Sequence, residues 1–342
     1  MKQIFFLIFL LSSLLFSEAQ ELETAGQYMS FIGKQQENIS KKYMSYVSAS
    51  AHGKNAKKVD ALREKLLDEV QEAKMNISGM PAFKTDKSYR DTAVAFMKLY
   101  CNVLNEDYAK IINMADVAEQ SYDDMEAYML AKEMVDKKLG ETNEMLHQAQ
   151  LTFAGKNNIT MLKDESELGK MMEQASKVNE YYKQVYLVFF KPFKQEVYLI
   201  EAIEKINITG IEQNKNSLLK YAQQGLEKLN NIKPYQGDNS LVSACKASLN
   251  FYVKEATEKI NVVSDYYLIK EQYESIKKEF EKKDEPSKAA VDTYNKAVND
   301  INKASDAYNN NNQYLNQARN EVLNNWNATI NSFFDDHTPR YN

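Results

Sequence analysis

Few side chains in this sequence could do chemistry. Of its three histidines, only His147 stands three residues after a glutamate, Glu144. A Glu-x-x-His pair on a helix is the spacing with which helical bundles bind two metal ions, but such a site needs a second pair and two further glutamates. His52 and His337 do not follow a glutamate at this spacing. We therefore interpret Glu144 and His147 as a solvated surface pair.

Two short acidic groups could bind a divalent cation, the second of them only weakly. They are Asp335 to His337 near the end of the chain, and Asp123 with Asp124 and Glu126. Adjacent side chains on a helix point in different directions. No loop rich in oxygen ligands of the EF-hand type accompanies them. We interpret them as acids at helix ends, and we predict no metal site and no cofactor.

Sequence patterns of the common enzyme classes are missing. There is no Gly-x-Ser-x-Gly, no phosphate-binding Gly-rich loop and no His-Glu-x-x-His. Glycoside hydrolysis needs only two carboxylates, but the 48 acidic residues are spread along the chain and no pair stands out. We predict no catalytic residues and a protein that is not an enzyme. An enzyme or small-ligand binder with a site between helices stays open as an alternative.

The two cysteines, Cys101 and Cys245, lie far apart, and both stand within helical patterns. In an exported protein they could be oxidised to one disulfide. They could also remain two thiols that pack as small apolar residues. The sequence leaves both alternatives open.

The first twenty residues have the plan of a secretory signal peptide. Lys2 precedes an apolar run from Ile4 to Phe16, and the small residues Ser17 and Ala19 suit a cleavage site. The run is shorter than the ~18 residues that a spanning helix needs, and no cysteine follows it that could carry a lipid. We expect residues 1–20 to be removed and 21–342 to be exported, without a lipid anchor, to the periplasm, the cell surface or the medium.

The charge of the chain identifies no partner. The formal net charge is −5, and lysine and glutamate are interleaved, so no basic face for nucleic acid stands out. The most apolar later stretch, Val185 to Phe190, ends at Lys191 and Pro192. We expect a protein partner, no nucleic acid and no stable transmembrane segment in the mature chain.

The elements that must position these residues are helices. Glycine and proline number only 10 and 5 in 342 residues, and the abundant Lys, Glu, Ala, Leu, Met and Gln lose little freedom in a helix. No segment alternates polar and apolar residues for long enough to predict a strand. The fold class is therefore all-α. Helix breakers divide the chain into about seven long helices, at 22–50, 54–78, 87–155 with a break, 165–206, 209–232, 239–282 and 287–335.

The last of these helices carries a stripe with a seven-residue period. Its members are Tyr294, Ile301, Tyr308, Leu315 and Val322. This period predicts coiled-coil-like packing. Since no Gly/Ser-rich or Pro-rich linker interrupts the chain, we expect one elongated helical bundle over 21–342. Pro192 lies inside a helical pattern and predicts a kink or a break.

An internal similarity at an offset of 152 residues indicates two pseudo-repeated halves, 54–155 and 209–335. The matching pairs are Leu66 with Leu218, Met80 with Ile232, Phe83 with Tyr235, Asp86 with Asp238, Ser88 with Ser240 and Tyr100 with Tyr252. The alternative is a similarity that arises from composition alone. If the repeat is real, Phe83 and Tyr235 close equivalent ends of the bundle.

Aromatic residues are concentrated between positions 181 and 198. They are Tyr181, Tyr182, Tyr186, Phe189, Phe190, Phe193 and Tyr198. We interpret them first as core residues of a central helix that is buried on nearly all sides, with the hydroxyls at its edges. The functional alternatives are a groove for a partner and a membrane-active region that emerges and inserts.

Several helical segments resemble an uncharacterised family of bacterial exported surface proteins. They are Leu104–Lys110, Ala118–Tyr122, Met125–Tyr128 and Glu212–Asn216. The resemblance implies export, a helical fold and a location at the cell envelope or surface, and it carries no established activity. Together with the scarcity of reactive residues, it leads us to expect a non-enzymatic protein that acts through protein–protein contacts.

Overall fold

The computed structural model describes residues 22–53, 55–107, 121–161 and 166–341. Every regular element in these ranges is a helix, and no strand occurs in them. The predicted all-α fold class is therefore confirmed. The predicted signal peptide 1–20 and residues 108–120 of the third predicted helix lie outside the described ranges.

The described residues form nine α-helices and two π-helical turns. The α-helices are α1 (Ala25–Ala51), α2 (Ala56–Ser78), α3 (Ser88–Asn102), α4 (Tyr122–Lys156), α5 (Glu167–Glu204), α6 (Ile208–Leu229), α7 (Ser240–Lys254), α8 (Ile260–Glu281) and α9 (Lys288–His337). The π-helical turn Val103–Asp107 follows α3, and Glu255–Lys259 joins α7 to α8. The nine helices fill the seven predicted segments, because the third and sixth segments each comprise two helices.

Local sequence explains where most helices begin. The residue before the helix is Ser, Thr or Asn, and its side chain accepts a hydrogen bond from the backbone N–H three residues later. This holds for Thr24, Asn55, Ser121, Ser166, Asn207 and Ser287. Helix α5 continues through Pro192, which is buried, so the chain is not broken there.

Helices α1 to α4 enclose the N-terminal core. Consecutive helices pack on one another, α1 on α2, α2 on α3 and α3 on α4. The centre of this core is aromatic. The ring centroid of Phe153 lies 5.4 Å from Tyr28, 5.4 Å from Phe83 and 5.3 Å from Tyr89.

Helices α5 to α9 enclose the C-terminal core. Helix α5 packs on α6, α6 on α7, and α7 on α9. The ring of Phe333, near the end of α9, lies 5.6 Å from both Tyr181 and Tyr235. Gly225 permits a close approach of α6 to α7, because a methyl group at this position would overlap the side chain of Leu249.

Beyond the C-terminal core, α8 and the first part of α9 form a two-helix arm, residues 266–308. Tyr266 and Tyr308 stack at 4.3 Å, and Phe280 and Tyr294 stack at 4.5 Å. No side chain of α8 beyond Ser264 is buried. The arm is therefore held mainly by the side chains between its own two helices, including members of the predicted seven-residue stripe.

The two cores contain corresponding elements. Helix α3 with its π-helical turn covers 88–107, and α7 with its turn covers 240–259, an offset of 152 residues at both ends. The corners before these helices also match. Phe83 and Asp86 exchange two backbone hydrogen bonds of 3.0 and 2.9 Å, and Tyr235 and Asp238 exchange two of 2.9 and 2.8 Å.

Candidate functional site

The seven aromatic residues predicted as core or interaction residues all lie on α5 and are engaged in packing. Phe189 and Phe190 are buried, and the other five are half-buried. Phe189 stacks on Trp326 at 4.3 Å, and Tyr182 lies 5.0 Å from Phe334. The remaining contacts are Tyr181 with Tyr235, Tyr186 with Phe190, Phe193 with Phe189, and Lys194 over Tyr198.

A smaller apolar cluster joins the two halves of the chain. Met125, at the start of α4, is buried against Phe190, and Tyr128 packs beside them. The part of the aromatic stretch around Phe190 is thus in contact with the N-terminal half. The rings of Tyr128 and Phe190 therefore contribute to the contact between the two halves.

Cys101 and Cys245 are buried free thiols in different cores. Of the two alternatives from the sequence, the structure therefore corresponds to packed thiols. Burial raises the pKa of both thiols. A thiol with a raised pKa is mostly protonated at neutral pH and is a poor nucleophile.

Two of the three histidines contact aspartates, and the third is exposed. Glu144 and His147 are both exposed on α4. His337 Nε2 lies 2.8 Å from Asp238 Oδ2, and His52 Nδ1 lies 2.7 Å from an oxygen of Asp335. In the described ranges, no three His, Cys, Asp or Glu side chains are grouped so that they could hold a metal ion.

A buried ionic cluster lies where α5, α9 and the π-helical turn after α7 meet. We call Glu196, Glu255 and Arg319 the acid–arginine cluster. The Nε of Arg319 donates to Glu196 at 2.9 Å, and a second guanidinium nitrogen donates to Glu255. Glu196 is 3 % exposed and Glu255 is 0 % exposed, so both acids are removed from water.

The charges of the acid–arginine cluster do not balance, because two acids face one base. Burial raises the pKa of Glu196 well above its ordinary range, the neighbouring Glu255 raises it further, and Arg319 opposes both. Among the described residues, Glu255 Oε2 has no hydrogen-bond partner, and neither has the hydroxyl of Tyr252. Buried groups of this kind are normally satisfied, so the cluster region departs from the usual pattern at two buried atoms.

Sequence reasoning missed the acid–arginine cluster. Its members come from three helical segments, separated by 59 and 64 residues, in a chain with many acids on helices. One signal was available in the internal similarity at an offset of 152 residues. Counted back by 152 residues, Glu255 corresponds to Val103, so a charged residue stands where the other half has a buried apolar one.

A shallow groove of about 290 Å³ runs beside the C-terminal core between α7 and α9. Its lining includes Ser248 and Phe251 from α7 and Val322 from α9. The cluster side chains do not line it. The groove and the cluster are therefore separate features of this half.

Helix α4 leaves apolar side chains in water. Between positions 126 and 145, none of the side chains that the structure describes is buried. Leu130, Met134 and Met145 are 56 %, 65 % and 64 % exposed. At 3.6 residues per turn they lie within about 60° of one another around the helix. We call these three residues the α4 stripe.

Within the described residues, none of the helices has both the length and the apolar character that a membrane crossing requires. Comparisons with models of protein families, with curated proteins and with solved structures found no match to this chain.

Proposed function

We propose that this chain is an exported, non-enzymatic helical protein of the bacterial cell envelope or surface that acts through protein–protein contacts. The observation that carries the proposal is the α4 stripe. Burying one large apolar side chain contributes about 1.5–3 kcal/mol, and these three side chains obtain little of it from the residues that the structure describes. A partner that covers them would supply that burial.

The chemistry of the stripe fits another helical protein. Its residues extend over about 22 Å of α4, and Lys137, Lys138 and Glu141 lie between them and are exposed. Methionine side chains adapt to different partner surfaces. An amphipathic helix with a narrow apolar face and mixed flanking charges would match this surface.

Export and location rest on the sequence. The predicted signal peptide 1–20 supports export, and the resemblance described above supports the envelope or surface.

We also propose that the protein is an elongated bundle of two repeated halves, with coiled-coil-like packing in the arm. The matching corners support this proposal. Lys156, the last residue of α4, donates to Asp86 at 2.9 Å. His337, the last residue of α9, contacts Asp238 at 2.8 Å. Each corner aspartate thus meets a basic residue at the end of the last helix of its half.

The contact function is tested by changing the stripe and leaving the fold intact. Lysine is introduced at all three stripe positions, Leu130, Met134 and Met145. A matched control carries lysine at three exposed apolar positions elsewhere, Met75, Ile206 and Leu268, which are 63 %, 55 % and 45 % exposed. Tagged versions of both and of the unchanged protein are purified from envelope extracts and analysed by quantitative mass spectrometry.

We expect the same partner with the unchanged protein and with the control, and its loss with the stripe variant. Circular dichroism should show equal helix content in all three proteins, because the substituted side chains are exposed. Equal recovery of the partner by the stripe variant would rule out the stripe as the contact surface. Measurable turnover of a substrate, without any reproducible partner, would defeat the function as a whole.

A further inference from the structure

We propose that Glu196 and Glu255 share one proton in the folded protein, which makes the acid–arginine cluster a pH-dependent clamp on the C-terminal half. The clamp is tightest in mild acid and loosens as the pH rises. This inference does not depend on the proposed partner binding, because the cluster lies in the core of α5, α7 and α9.

The geometry supplies one base for two acids. Arg319 donates to Glu196 through Nε at 2.9 Å and to Glu255 through another nitrogen. With both acids ionised, the site would carry a net charge of −1 in a region that excludes water. One added proton leaves a neutral acid beside an Arg–Glu ion pair, which is far less costly to bury.

The unsatisfied atoms of the cluster also favour a proton. Glu255 Oε2 is a buried acceptor without a donor among the described residues, and the two carboxyl groups are close neighbours. A proton held by Glu196 places a donor beside that acceptor. It therefore satisfies a buried oxygen and removes a charge at the same time.

Three titratable groups surround Glu196. Glu255 comes from the π-helical turn and Arg319 from α9. Tyr252 of α7 lies beside both acids, and burial, followed by the two carboxylates, raises the pKa of its phenol. A phenol of this kind stays protonated and neutral at neutral pH, so it adds no charge to oppose the acids.

The N-terminal half shows that this architecture does not require the buried acids. Val103 stands at the position of Glu255 and is fully buried. Tyr28 and Tyr181 are equivalent residues, because each contacts the aromatic residue of its own corner. When the two helices are aligned on this pair, Tyr43 stands at the position of Glu196. Both replacements are uncharged. The pH-dependent clamp is therefore confined to the C-terminal half.

The direction of the pH effect follows from the raised pKa of Glu196. An unfolded glutamate has a pKa of about 4.3. Below that value the folded and unfolded states are both protonated, and the stabilisation is fully present. As the pH rises towards the pKa of the folded state, the unfolded chain loses its proton first. Unfolding then releases one proton per molecule, so the free energy of unfolding falls as the pH rises.

Trp326 gives a reporter for this half. It is the single tryptophan of the chain, and it is buried in the C-terminal core. Urea unfolding is followed by its fluorescence between pH 5 and pH 8 for the unchanged protein and for Glu196→Gln, which imitates the protonated acid at every pH. The ratio of the two unfolding constants removes contributions that both proteins share, including those of the histidines.

We expect the unfolding constant of the unchanged protein to rise about tenfold per pH unit relative to Glu196→Gln. A ratio that stays constant from pH 5 to pH 8 would overturn the proposal. Infrared spectroscopy gives a second readout that needs no variant. The folded protein at pH 7 should show the carbonyl band of a protonated carboxyl group, and its absence would overturn the proposal as well.

Glu255→Gln provides the control for the pair. In this variant Glu196 has Arg319 to itself, so it should ionise, and the infrared band should disappear together with the pH dependence. A band that persists unchanged in Glu255→Gln would overturn the shared proton, because it would show that a carboxyl group stays protonated without the second acid.

Discussion

Thr85 occupies a backbone conformation that suits a β-branched residue poorly. It lies in the first corner at φ = +77°, after Lys84 at +47°. The second corner has the same turn, with Gln236 at +51° and Gly237 at +92°. Only glycine adopts positive φ without steric cost. The two corners therefore have the same backbone turn, but glycine adopts it without strain and threonine does not.

Exchanging the two corner residues tests this difference. Thr85 and Gly237 are both exposed, so neither substitution removes core packing. We expect Thr85→Gly to raise the free energy of unfolding by about 1 kcal/mol and Gly237→Thr to lower it by a similar amount. Urea unfolding followed by circular dichroism measures both. Unchanged stability in both variants would mean that the corners are not strained as described.

At the scale of single residues, the sequence predicts features that depend on residues close together in the chain. The corner pairs Phe83 with Tyr235 and Asp86 with Asp238 were found because turn residues lie close together in the chain. The acid–arginine cluster could not be found in this way. Arg319 meets its partners only after three helices have packed, and the chain contains 48 acidic residues that could have been chosen.

At the scale of elements, helix boundaries follow from breakers and caps. The second predicted helix, 54–78, is observed at Ala56–Ser78, and the last, 287–335, is observed at Lys288–His337. The π-helical turn Glu255–Lys259 was not predicted, because it has no breaker. The turn begins at the buried Glu255. A π-helical turn contains one residue more than an α-helical turn, and this can direct a side chain into the core.

The two-helix arm should be the least protected ordered part of the C-terminal half. Its aromatic pairs are half-buried, whereas α7 is buried on one face in the core. Amides of 268–280 should therefore exchange with deuterium earlier than those of 241–254 in the same run of helix. Hydrogen exchange with mass spectrometry measures both segments in one experiment.

A substitution within the arm sharpens this prediction. Phe280→Ala removes a ring that stacks on Tyr294 at 4.5 Å, and we expect exchange in the arm to accelerate about tenfold. Leu268→Ala, at an exposed position of the same helix, is the matched control and should have little effect. Equal acceleration in α7 would contradict the description of the arm as a separate unit.

At the scale of the whole molecule, contacts between distant residues join the two halves. The backbone N–H of Tyr341 donates to Ser48 at 3.0 Å, and His52 contacts Asp335 at 2.7 Å. A third contact is apolar, where Met125 of α4 is buried against Phe190 of α5. Residues 335–341 therefore contact the C-terminal end of α1.

The sequence could predict the helices, but not how the two cores meet. The seven aromatic residues of α5 illustrate the reason. Their pattern favours a core but is also found on surfaces that bind a partner, and only contacts from another helix distinguish the two. Tyr182 beside Phe334 and Phe190 beside Met125 are such contacts.

The α4 stripe remains without such contacts in the part of the chain that the structure describes, and the proposed function depends on it. Site-specific photo-crosslinking in producing cells tests it most directly. A benzophenone amino acid is placed at Met134, and in a second protein at Met75, which has nearly the same exposure, 63 % against 65 %. We expect one discrete adduct with a partner protein from position 134 and none from position 75. No adduct at position 134, or the same adducts at both positions, would contradict the proposed function.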